Sequence, residues 1–380
     1  MLTAQGCASR RKRLWDALPA PCDVLIVGDP SNLIYLANYA QSAFTFRSND
    51  AGALLLLQHD HATLVADSMV QPYLEAAHVD RLHAPTWYDG LRSAPRRQTL
   101  LVQSTLEALA SMPGKQVGIE ASSVPIGVIE GLRSARPGLE LIDIDPTLRR
   151  LRRAKDADEL EILKKSIAAG EAGFAAALEA IQPGMTEFEA FLLVQKASLE
   201  AIGDKAILYG DFDSGPRGHK VIGPPSERTI LAGDLFILDF SVVLNGYRGD
   251  FANTILAGGK PTPRQQELYE GCIAAMEAGE AMLRPGTPAR DVDAAVRQEF
   301  ARRGLDPHFP SHCGHGIGLG HPEPPYIVPE SDDTLLPGDV VTLEPGQYAP
   351  DYGGMRYERN YLITASGFET LTHHRLALVP

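Results

Sequence analysis

Two stretches of this sequence, AGDLFILD at residues 232–239 and PGDVVTLE at residues 337–344, share one pattern: Gly-Asp, four mostly apolar residues, then a carboxylate. Each is followed by a second fragment of like design, NGYRGD at 245–250 and GGMRYE at 353–358, in which a glycine turn leads to another acid. Ahead of them PGMTEFEA (183–190) and PGTPARDV (285–292) read as matching helix starts. The offsets agree, with 102 residues from Gly184 to Gly286 and 105 from Gly233 to Gly338. Recurrence at a near-constant spacing means one supersecondary unit used twice. Two copies of helix followed by hairpin predict an α+β domain with a pseudo-twofold, curved antiparallel sheet. Its equivalent acids, Asp239, Asp250, Glu344 and Glu358, should converge at the centre.

Gathering four carboxylates in an apolar sheet costs several kcal/mol per charge unless they protonate or cations neutralise them. Metal ions are the simpler answer. His315, which opens HGIGLGHPEPPYI (315–327) between the two hairpins, adds an imidazole to the set. Four carboxylates and one imidazole can hold two divalent ions when two of the carboxylates bridge. The net charge of -13 fits a protein that gathers cations and argues against nucleic acid or an acidic membrane as partner.

The rest of the 380-residue chain suits a second domain. CDVLIVGDPSNLIYLANY, AGALLLL and ATLVAD alternate buried-strand runs with turn residues, so the first 145 residues or so read as an α/β domain. At LRRLRRAKDADELEILKKS the pattern changes to a long amphipathic helix, capped near Asp156 or Asp158. This places the boundary near residue 153, giving domains 1–153 and 154–380. Cys7, Cys22, Cys272 and Cys313 follow no paired spacing and read as free thiols. With neither a signal-peptide core after the basic run Arg10–Arg13 nor an apolar window of spanning length, the expected location is the cytoplasm.

Several motifs resemble the creatinase, prolidase and methionine-aminopeptidase superfamily with the "pita-bread" fold: DFSVVLNGYRGDFANT, GHGIGL, VTLEPGQY and GGMRYERNYLIT. YLANY and LRRAKDADELEILKKS are similar to the amino-terminal domain and junction helix of its Xaa-Pro peptidase-like branch. The resemblance implies that Asp250 and Glu358 bridge two metals, that Asp239 completes one, and that His315 with Glu344 completes the other. It also implies Glu344 as general base toward a metal-bridged water attacking an amide carbonyl, as in Xaa-Pro aminopeptidases and dipeptidases. Oxygen-rich ligation favours Mn²⁺, with Co²⁺, Fe²⁺ or Zn²⁺ as other occupants. Arg356 is expected to orient a carboxylate from behind the ligands. A short peptide or small molecule as substrate and a homodimeric assembly complete what the resemblance implies.

The sequence departs from that family at two histidines. Pro322 stands where family peptidases carry a histidine seven residues after the ligand histidine, and Ile222 stands where they carry a second one. His321 is the neighbouring imidazole. In an extended strand a one-residue shift turns a side chain to the opposite face, so it is expected to point away. His219 is a candidate to swing toward the place of Ile222. Phe46 and Arg47 of AFTFRSND, with Phe44, are candidates for substrate binding from the amino-terminal domain. The alternative function is therefore a small-molecule C–N hydrolase or lyase on the same metals, without proline specificity.

Overall fold

The computed structural model describes residues 1–40 and 52–379; Phe44, Phe46 and Arg47 lie outside them. The chain divides into two compact units, Met1–Arg152 and Arg153–Pro380.

In the first unit six strands, β1 (Val24–Val27), β2 (Leu54–Gln58), β3 (His61–Val65), β4 (Arg81–His83), β5 (Gln116–Ile119) and β6 (Glu140–Asp143), form one sheet ordered β4-β3-β2-β1-β5-β6. Helices α1 (Ala4–Asp16), α2 (Pro30–Ala37), α3 (Gln71–Leu74), α4 (Arg97–Ala110), α5 (Ile126–Ala135) and α6 (Asp145–Leu151) complete it. The apolar runs VLIV and LLLL are buried along their whole length, as strands covered on both faces must be.

The second unit opens with α7 (Ala157–Ala180), whose Glu159 carboxylate reaches back to the Asp156 backbone N–H at 2.8 Å, half of a capping box. Next come α8 (Glu187–Ile202) and a three-stranded meander of β7 (Ala206–Ser214), β8 (Leu235–Leu244) and β9 (Tyr247–Leu256). The β8–β9 turn is Asn245-Gly246 with φ of 50° and 86°, the left-handed pair that a two-residue hairpin demands. The second half repeats this with α9 (Pro263–Glu280), α10 (Ala289–Arg302), β10 (Gly314–Gly316), β11 (Glu323–Ile327), β12 (Val340–Leu343), β13 (Gly346–Ala349), β14 (Gly353–Arg356), β15 (Arg359–Ile363) and β16 (Phe368–Thr370).

The internal duplication is real in the backbone. Gly184 N–H donates to the Ile230 carbonyl at 2.9 Å and Ile230 N–H to that of Met185 at 2.8 Å; Gly286 with Leu335, and Leu335 with Thr287, repeat the pair at 2.9 Å each. The bridges Thr186↔Thr229 and Pro288↔Thr334 match as well. The halves meet where β9 runs beside the segment from β14 to β15, with Glu358 N–H donating to the Ala252 carbonyl at 2.9 Å and Arg356 N–H to Thr254 Oγ1 at 2.8 Å.

Side-chain alternation then separates core from site. Phe240 and Phe251 turn toward Phe174 of α7, with ring centroids 4.8 and 5.5 Å away. Gly170 allows this approach, since a Cβ there would sit 1.8 Å from the Phe251 ring. Their chain neighbours Asp239 and Asp250 must therefore point to the opposite face.

Candidate metal centre

Asp239 pairs with Ala252 and Asp250 with Ser241, so the two acids are diagonal neighbours on one face of the β8–β9 ladder. In the second half the strands break at the corresponding acids. Pro345 has no N–H to continue a ladder, and Glu344 falls between β12 and β13 while Glu358 falls between β14 and β15. Carboxylate oxygens of Asp239, Asp250 and Glu358 lie within 4.8 Å of one another, as do ligand atoms of the His312, His315 and Glu344 group. All five predicted side chains are buried and come together.

The donor set suits a cation. His315 Nδ1 lies 3.0 Å from the Gly316 carbonyl oxygen and donates to it, which leaves the lone pair of Nε2 directed inward. That lone pair faces Glu344 Oε1 at 3.5 Å and Asp250 Oδ2 at 3.7 Å. With His315 neutral, as its burial favours, three electron-rich atoms at this spacing repel unless a positive ion sits among them. Glu358 is 1 % exposed and its Oε1 accepts no hydrogen bond, nor does Glu344 Oε1 with good geometry. Buried carboxylate oxygens without donors are rare outside metal sites and strained clusters.

Electrostatics point the same way. Burial, reinforced by Asp250 and Glu344, pushes Asp239 up to about 7 despite Arg356, and burial with the other acids pushes Glu358 well above the carboxylate range. Burial also pushes Asp250 up, but it is outweighed by the bond and charge of His321 with help from His315 and Ser241, which bring it down to about 2. Burial pushes Glu344 up, but the bond and charge of His312, with smaller help from His315 and Arg356, outweigh it and bring Glu344 below its ordinary value. Arg356 holds its place through Asp239, the Tyr348 hydroxyl at 2.6 Å and the Val221 carbonyl at 3.0 Å.

The expectation for His321 is overturned. Its Nε2 lies 2.5 Å from Asp250 Oδ2 and its ring 5.0 Å from that of His315, inside the cluster. The alternation rule failed because residues 317–322 are not strand: the β10–β11 register, His315↔Tyr326 and then Gly316↔Glu323, shifts just there. The peptide bonds His321–Pro322 and Pro324–Pro325 are both cis. Burial lowers the His321 pKa, but the bond and charge of Asp250 more than offset this and raise it, with the Arg248 charge acting against.

His219 is not brought to the cluster; its Nδ1 is tied to the Pro216 carbonyl of its own turn at 2.5 Å. Ile222 is 70 % exposed. Sequence reasoning missed His312, whose Nε2 sits 3.0 Å from Glu344 Oε1. Its spacing, three residues before His315, was the available signal.

The loop that carries His321 is pinned from beneath. Lys155 Nζ pairs with Glu323 Oε1 at 2.8 Å, both side chains being buried, and Glu323 Oε2 accepts the Gly320 N–H at 3.0 Å. Removing one partner of such a pair strands the other charge. Lys155→Met is therefore expected to destabilise the protein by about 3–5 kcal/mol in urea denaturation, and Lys155→Met/Glu323→Leu to recover most of it. A single-variant loss under about 1 kcal/mol would place the pair with ordinary surface ion pairs.

An acid and imidazole cluster at the seam of a duplicated sheet, on this fold, makes the chain a metallohydrolase. More narrowly, it belongs to metallopeptidase family M24, whose signature matches residues 161–365, while the creatinase/prolidase N-terminal domain matches residues 10–154. It is similar to the Xaa-Pro dipeptidase of Pyrococcus horikoshii, 32% identical over 265 residues that span 70% of this chain and 75% of that protein. It is also similar to an uncharacterized peptidase of Bacillus subtilis, 30% identical over 279 residues covering 73% of this chain and 79% of the other. Among solved structures, the Xaa-Pro dipeptidase from Bacillus anthracis superposes with a TM-score of 0.82 at 25% identity, covering 99% of each chain. Among the described residues no helix is long and apolar enough to cross a membrane.

Proposed function

We propose that the protein hydrolyses the amide bond of Xaa-Pro or closely related short substrates, with Asp239, Asp250, His315, Glu344 and Glu358 holding two divalent ions. The carrying observation is the inward lone pair of His315 Nε2 facing two carboxylate oxygens at 3.5 and 3.7 Å. Four oxygen donors to one nitrogen favour manganese. When bound, the ions supply Lewis acidity and offset the charge of the buried acids.

The chain's own groups supply the proton work. Glu344, held ionised by its imidazole neighbours, takes a proton from the attacking water and returns it to the amine nitrogen as the C–N bond breaks. His321, whose Nε2 is committed to Asp250, offers Nδ1 as the donor for the oxygen that becomes negative when water adds to the carbonyl carbon. Arg356 fixes Asp239 from behind.

Activity of the Mn²⁺-loaded protein on Ala-Pro, against Ala-Pro-Ala, tests the reading. Inactivity on both with two equivalents of metal bound would favour a small-molecule C–N hydrolase or lyase. Ile222 and the tethered His219 favour that second reading, because neither offers an imidazole on the β7–β8 side. Removing metal by chelation is expected to lower the melting temperature and Mn²⁺ to restore it, since an ion bound 100-fold above its Kd contributes about 2.7 kcal/mol. A melting temperature indifferent to chelation would count against the site.

A further inference from the structure

Among the described residues, one cation beside the cluster has no acid to answer it. Arg248 lies on β9 two residues before Asp250, so both side chains leave the same face of the sheet. The guanidinium is half-buried, yet among the described residues no carboxylate is within ion-pair distance of it. Its Nη1 donates to the Tyr209 hydroxyl, and its Nε–H is buried with no acceptor.

Tyr209 stands on β7 opposite Ser241, which is itself opposite Asp250, so it closes the same row of the sheet. It is 40% exposed. The guanidinium packs over its ring, 5.5 Å from the centroid. The Arg248 backbone N–H also donates to the Gly318 carbonyl at 3.1 Å, tying this strand to the loop that carries His321.

Asp250 does not need this charge, because His321 Nε2 at 2.5 Å and Ser241 Oγ at 3.0 Å already serve its two oxygens. A guanidinium braced by a phenol, with a donor left over, is shaped for a planar, two-oxygen anion. A buried N–H without an acceptor calls for one. Arg248 and Asp250 are two residues apart on β9, about 7 Å along the strand, close to one residue of substrate plus a hydrogen bond.

We propose that Arg248, braced by Tyr209, anchors a carboxylate of the substrate adjacent to the scissile amide. This rests on the peptidase reading above and narrows it to substrates ending one residue after the cleaved bond.

The test compares L-proline with L-prolinamide as ligands of the Mn²⁺-loaded protein by calorimetry, and Ala-Pro with Ala-Pro-amide as substrates. The native protein is expected to bind L-proline at least about 10-fold more tightly than L-prolinamide, as a charged hydrogen-bonded pair supplies. Arg248→Met should erase that ratio and raise KM for Ala-Pro by about 10- to 100-fold, leaving Ala-Pro-amide nearly unchanged. Arg248→Lys, which keeps charge without the fork, should restore part of the ratio, and Tyr209→Phe should lose part of it.

A ratio unchanged in Arg248→Met, equal effects on both members of each pair, or a native protein that does not prefer L-proline would overturn the anchor. The two proposals fail separately. An Arg248-dependent preference without Ala-Pro hydrolysis keeps the anchor and removes the peptidase. Hydrolysis of Ala-Pro with KM indifferent to Arg248 does the reverse.

Discussion

Glu344→Gln is expected to lower kcat/KM for Ala-Pro by about 10²- to 10⁴-fold, the range for a positioned proton acceptor. The substitution keeps the shape of the side chain and one oxygen. An amide cannot take the proton of a water, and it cannot answer the charge of His312 at 3.0 Å or the inward face of His315 at 3.5 Å. Both losses fall on one residue, which is why this variant should be the most damaging. The kinetics should be read beside metal content measured by elemental analysis. A variant that keeps the native metal content and more than a tenth of native activity would remove Glu344 from proton transfer.

His321→Ala is expected to cost about 10²- to 10³-fold in kcat, as loss of one donor to a developing oxyanion does. The prediction comes from position: an imidazole 2.5 Å from Asp250 Oδ2 stands at the edge of the cluster, with its pKa raised by that acid. His321→Gln retains a donor and should recover part of the rate. The metal count separates two roles, because Asp250, His315 and His321 also have ligand atoms within 4.8 Å of one another. If His321→Ala loses an ion rather than rate at full occupancy, His321 is a ligand. Native kinetics with native metal content would make it a bystander.

What could be read from the residues was what depends on local chemistry and on repetition. A duplicated Gly-Asp, apolar run and acid forces the same hairpin twice. The matching backbone bonds of Gly184 and Gly286 are the structural record of that sequence rhyme. The same spacing marked Asp239, Asp250, Glu344 and Glu358 as equivalents; alternation fixes the first two on their strands, while Glu344 and Glu358 fall where the strands break.

Alternation gave the wrong answer at His321 for the converse reason. It is a property of ladders, and residues 317–322 lie in a stretch whose direction is set elsewhere: by the register shift at His315/Gly316, by the buried Lys155–Glu323 pair, and by the bond from Arg248 to Gly318. Each of these joins residues far apart in the chain, and none leaves a periodic mark. Arg248 was invisible for the same reason, whereas His312 left a local mark in its spacing from His315.

The sequence by itself determined the two-part organisation, the duplicated sheet and the chemical nature of its central acids, since these follow from propensity, periodicity and the cost of burying charge. Only the tertiary structure decided which imidazoles reach those acids and which cation stands unanswered beside them, because loop direction and cross-strand reach depend on packing between distant residues.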